Sequence, residues 1–273
     1  MLGKLLKYDM KAGARMMPVV YFAIAGIYLI GFLARELKIG QILTTASVLL
    51  VIGAISTFIM TVVFVIQRFY KGLFGAEGYL TQTLPVGKGH LILSKLITAY
   101  VWMVLSFAVA ALAFLAMLQL NHVTDLRKLI DILFGSSFTP LFVFFTLTGC
   151  AQLLAFIGEI YFSVSLANTR PFIKNSVIFS IVFFFVSNFV VGLLELVAML
   201  FIPLGVNFTE NGIKFTTETM AGSLALNMDV FRSADPIVSN ISVGIGSGFA
   251  DLLAGVVLLI LARWLLTHKT SVK

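Results

Sequence analysis

The stretch ILTTASVLLVIGAISTFIMTVVFVI, residues 42–66, contains no Asp, Glu, Lys, Arg or His. A helix rises about 1.5 Å per residue, so roughly 20 apolar residues cross the ~30 Å hydrocarbon core of a bilayer. Lipid offers no hydrogen bonds, so a spanning segment must satisfy its backbone internally, and a run of this length reads as a helix. Working outward, five further runs qualify: residues 17–34, 92–118, 139–163, 175–202 and 244–266. The predicted fold class is an all-α integral membrane protein with six transmembrane helices.

Composition agrees with that reading. Of 273 residues, 60% are hydrophobic and 11% charged, with a mean hydropathy of +1.05, against about a quarter charged in soluble domains. The net charge of +7 could point to nucleic acid, but the basic residues lie in short flanks of apolar runs, where they orient a membrane protein. With the N-terminus inside, thirteen of the 19 Lys and Arg fall on the cytosolic side, among them Lys4, Lys7, Lys11, Arg15, Arg68 and Lys71. Both termini are then expected in the cytoplasm. Cys150 is the single cysteine, which excludes an internal disulfide and a cysteine metal cluster. The first fifteen residues are too polar for a cleaved secretory signal, and the run after them is expected to stay as a span.

The chain is expected to form one transmembrane domain over residues 1–273, with three appendages. Residues 1–16 carry Lys4, Lys7, Lys11 and Arg15 at three- and four-residue spacing with Leu2, Leu5, Leu6 and Met10 on another face, the pattern of a helix lying in the membrane interface. A basic tail that only obeys the orientation rule would look the same. Residues 67–91 form a cytoplasmic segment between spans two and three. Residues 203–243 form the one sizeable external segment, opened by Pro203 and carrying turn signals at Asn211-Gly212 and Asp235-Pro236.

Motifs of bond chemistry are missing from the sequence. There is no G-x-x-x-x-G-K-[ST], and His90, His122 and His268 stand far apart without an H-E-x-x-H partner. No catalytic residue, no metal site and no cofactor within this chain are expected. Gly244 and Gly248, four apart at the start of the last run, are expected to let another helix approach closely. Glu159, Glu195 and Asp251 interrupt apolar runs, and intramembrane acids are costly enough to require a function or a partner. Glu195 and Asp251 lie about two helical turns from the external surface and so are expected at similar depth. A proton-driven secondary transporter or an intramembrane enzyme built on these three acids is the alternative class, against a capped or hydrated structural role. The 26 Phe fit lipid-facing and interhelical packing, and single out no contact with cargo.

In the cytoplasmic segment, Phe69 with Leu73 and Tyr70 with Phe74 pair at i and i+4 beside Arg68 and Lys71, giving a short helix with an apolar edge suited to a groove in another protein. The same aromatics would serve an ordinary interfacial loop. Gly75 and Gly78 break the helix around Glu77; Tyr79, Leu80 and Leu84 resume apolar contacts until Pro85.

The six-span layout, the basic N-terminus and Glu77-Gly78-Tyr79-Leu80-Thr81 with Thr83-Leu84-Pro85-Val86 resemble the permease subunits of bacterial type-2 ABC exporters, over essentially the whole chain. In that family the loop between spans two and three is a coupling helix seated in a cleft of a separate ATPase subunit. The resemblance implies that role for Phe69, Tyr70, Leu73, Phe74, Glu77, Tyr79, Leu80, Leu84 and Pro85. It further implies an ABC ATPase partner that holds ATP and Mg, a second permease subunit, identical or homologous, and the bacterial plasma membrane as location. The length of 203–243 departs from the family pattern at the external gate. The implied activity is ATP-driven export of an amphipathic or hydrophobic cargo, with an antimicrobial-type peptide favoured.

Overall fold

The computed structural model describes residues 2–75, 78, 87–121, 139–209, 212–232 and 240–269. Among them are six helices long and apolar enough to cross a membrane. They are α1 (Leu2–Glu36), α2 (Gly40–Leu73), α3 (Lys88–Leu120), α4 (Thr139–Ala167), α5 (Ser176–Phe201) and α7 (Gly246–His268), with a shorter α6 (Met220–Arg232) and a 3-10 turn at Ile173–Asn175. The protein is therefore an all-α multi-pass membrane protein in its architecture. It divides into two compact units, Met1–Asp131 with Val272–Lys273, and Ile132–Ser271.

The first unit is an up-down-up bundle of α1, α2 and α3. These helices have 35, 34 and 33 residues, about 50 Å each, and overshoot a ~30 Å hydrocarbon core by roughly 20 Å. α1 continues without a break from the lysine-rich start into the apolar run, through Pro18. The expected boundary at residue 16 is thus a change of composition and not of helix, because backbone hydrogen bonding continues where hydropathy does not. The unit's apolar centre gathers Ile24, Leu50, Ala113 and Leu120. A polar ladder crosses it: Thr61 Oγ1 lies 2.6 Å from Ser106 Oγ, which lies 2.7 Å from Tyr21 Oη, joining all three helices. At one end Tyr28 donates to Gln119 Oε1 over 2.9 Å, and Arg35 donates to the Gln119 carbonyl over 3.2 Å. At Gly13 of α1 any Cβ would run into the Trp102 ring of α3.

In the second unit α4 packs on α5 and, most extensively, on α7. A Cβ on Gly158 would stand 3.0 Å from the Gly255 carbonyl oxygen, and one on Gly255 would stand 3.0 Å from the Ala155 backbone. Here α4 and α7 touch backbone to backbone, as small residues permit in membranes. Of the glycines expected to do this, Gly244 does so from a strand: a Cβ there would run into the backbone of Met220, the first residue of α6. Gly248 does not, having only the Thr148 methyl nearby, at 3.5 Å from a Cβ. α5 turns most of its large apolar side chains outward, Phe185, Phe189 and Phe201 among them, as a lipid-facing helix does.

Within 203–243 the structure forms strands the reading did not anticipate: β1 (Gly205–Thr209), β2 (Gly212–Thr216) and β3 (Asn240–Gly244), in antiparallel order β2-β1-β3. The alternation Val206, Phe208 and Ile213, Phe215 around Asn211-Gly212 is a hairpin signature. Ser242 Oγ on β3 donates to Glu218 Oε2 and also lies 3.0 Å from Ser223 Oγ on α6.

Candidate functional site

Two constellations carry charge into buried surroundings, one in each unit. In the first, α1 begins, α2 ends and α3 begins at the same end of the bundle, which brings together residues far apart in sequence. Asp9 is 5% exposed. Its Oδ1 accepts from Arg68 Nε at 2.8 Å and lies 2.8 Å from Arg68 Nη2 and 3.6 Å from Lys95 Nζ, while Ser94 Oγ donates to Oδ2 over 3.1 Å. Lys95, 6% exposed, lies over Gly72, where a Cβ would meet its ammonium. A single buried carboxylate thus fastens three helices with charge-assisted bonds, among the stronger side-chain contacts a protein makes.

The segment expected to couple to an ATPase springs from this cluster. Phe69, Leu73 and Phe74 are all buried within the chain, Phe69 completely so. Phe74 meets Phe69 edge-on at 6.2 Å and Tyr70 at 6.3 Å. These three side chains root the end of α2 in its own bundle and do not present an apolar edge outward. Tyr70 is half-buried and Lys71 exposed. The Phe74 and Gly75 amides both bond to the Tyr70 carbonyl, and Gly78 N–H donates to the Gly75 carbonyl over 2.8 Å. A Cβ on Gly78 would stand 2.6 Å from the Leu73 carbonyl oxygen, so only glycine fits where the chain folds back. Glu77, Tyr79, Leu80, Leu84 and Pro85 lie outside the described residues.

In the second unit, Asp251 of α7 interacts with Glu195 of α5 and, electrostatically, with Glu159 of α4. Glu159 is buried and accepts from Asn188 Nδ2 over 3.2 Å. One turn on, Ser163 Oγ and Ser187 Oγ stand 3.2 Å apart. Glu195 is half-buried, with its carboxyl in hydrogen-bonding reach of Asp251. Asp251 Oδ1 is buried without a hydrogen-bond partner among the described residues.

Among the described residues no three His, Cys, Asp or Glu side chains are placed to hold a metal ion. His90 and His268 are exposed, and His122 lies outside the described residues. Sequence reasoning missed Asp9, Ser94 and Asn188. The available signal for Asp9 was that it is the sole acid in the first 35 residues, set among four cations. Compared with known proteins, the chain matches no family model, no curated protein and no solved structure.

Proposed function

We propose that the chain is the non-catalytic permease subunit of an ATP-driven exporter of the bacterial type-2 ABC kind. It works in the plasma membrane with both termini in the cytoplasm, beside a second permease subunit and an ATPase that binds ATP and Mg. The cargo is an amphipathic or hydrophobic molecule, with an antimicrobial-type peptide the favoured class. One observation supports this beyond the sequence resemblance: the segment between α2 and α3 starts and ends on helices that Asp9 ties to α1 through Arg68, Ser94 and Lys95. A load on that segment passes into three helices at once.

Burial divides the described part of the segment: Phe69, Leu73 and Phe74 anchor it, while the more exposed Tyr70 and Lys71 meet the ATPase. The resemblance adds the stretch from Glu77 to Pro85 to that contact. The test is reconstitution of the chain with a partner ATPase of the type-2 ABC kind, comparing the native pair with a Tyr70→Ala, Glu77→Ala variant. Export should fall at least about tenfold, the scale of a coupling free energy of 1–3 kcal/mol, with thermal unfolding of the chain unchanged. Undiminished export by that variant contradicts the proposal.

A further inference from the structure

Three acids of the second unit, Glu159, Glu195 and Asp251, lie within membrane-spanning helices, where charge is hardest to keep. Glu159 and Asp251 are 3% and 5% exposed. The sequences of α4 and α5 contain no Lys, Arg or His, and α7 carries only Arg263 and His268, both exposed. Those two are 12 and 17 residues beyond Asp251, about 18 and 25 Å along the helix. Tyr161 and Cys150 are the other titratable groups of α4, and Lys174 stands in the 3-10 turn before α5. α6, which touches α5, contributes Asp229 and Arg232, whose side chains lie outside the described residues.

Asn188 gives Glu159 a neutral donor. Asp251 differs: its Oδ1 is buried with no hydrogen-bond partner among the described residues, and its carboxyl interacts with that of Glu195 and, electrostatically, with that of Glu159. A buried acceptor lacking a donor beside a second carboxyl is the arrangement in which two acids share one proton, because adjacent like charges cannot both ionise cheaply in an apolar site. A metal ion fits less well, since the described acids are not gathered around one point.

We propose that Glu195 and Asp251 form a proton-exchange site in the membrane, with Glu159 as its third acid and the half-buried Glu195 as its more exposed member. In the exchange, the O–H bond on one carboxyl breaks as an O–H bond forms on the other or on water; no electron changes hands. Release of the proton sets carboxylates of α5 and α7 against each other. Gly158 and Gly255 lock α4 to α7, so α5 is the helix that yields. The site rests on this bundle alone and stands whether or not an ATPase drives the chain.

The test is infrared difference spectroscopy of the purified full-length chain, titrated from acid to alkaline pH in choline chloride and again in sodium chloride. The expected result is a protonated-carboxyl band lost as pH rises, about tenfold per pH unit beyond its midpoint, insensitive to sodium, and altered in both Glu195→Gln and Asp251→Asn. Labelling of the wild-type chain with dicyclohexylcarbodiimide should map to Glu195 or Asp251 and decline over the same pH range, which keeps the test valid if Asp251→Asn does not fold. Absence of the band, a band unchanged in Glu195→Gln, or its displacement by sodium at constant pH would each overturn the proposal.

Discussion

Arg68 Nε donates to Asp9 Oδ1 over 2.8 Å, across 59 residues of sequence. That bond makes the start of α1 part of the first bundle: the helix is held by a side chain that lipid alone would not retain in place. Replacing Asp9 with Ala removes the carboxylate that Arg68, Ser94 and Lys95 share. The loss expected on breaking a buried ion pair is about 3–5 kcal/mol, read as a lower unfolding midpoint in detergent, and Asp9→Asn should lose less because it keeps an acceptor for Ser94.

At Gly13 the neighbour is a rigid indole, so the space cannot be made by a flexing side chain. Gly13→Leu should push α1 off Trp102 and destabilise the bundle by about 1–3 kcal/mol, as overpacking does. Gly3, with open space around its Cβ position, is the matched control, and Gly3→Leu should leave the midpoint unchanged.

The backbone contact of α4 and α7 makes the same kind of demand more severely. Gly255→Leu would drive a side chain into the Ala155 backbone, and the second unit should lose folded yield. Gly149→Leu, on α4 with nothing near its Cβ position, should be purified at the native level.

Thr61 tests the polar ladder. Thr61→Val keeps the shape and removes the hydroxyl that contacts Ser106 and the Thr57 carbonyl, while Ser106 still has Tyr21. The expected cost is about 1 kcal/mol, that of a net buried hydrogen bond, and Thr61→Ser should restore most of it.

The spans were legible because an apolar run must bury its backbone polar groups, and a helix is the local way to do so. Their ends were not: hydropathy marks where lipid stops, whereas α1 and α2 continue hydrogen bonding to Leu2 and Leu73, well outside the runs 17–34 and 42–66. Glu195 and Asp251 could be singled out from sequence because a charge in lipid is conspicuous. Asp9 was hidden, since its partners Arg68 and Lys95 are distant in sequence and its neighbours Lys7 and Lys11 gave it a local explanation. The pairing of Phe69 with Leu73 was visible as a helical edge, but periodicity cannot tell whether such an edge faces a partner protein or the chain's own core, and burial assigns it to the core. The strands of 203–243 were obscured by their length, five residues each, too short to register beside runs of twenty.

The central claim is that the turn after α2 meets an ATPase. It is tested most directly by cross-linking from Lys71, exposed at that turn, with a photoreactive amino acid placed at this position in cells that also express the proposed partner ATPase. The account predicts one major protein adduct, with the ATPase, whose yield changes when ATP is trapped in the partner. Adducts with lipid alone, at full ATPase expression, would contradict it.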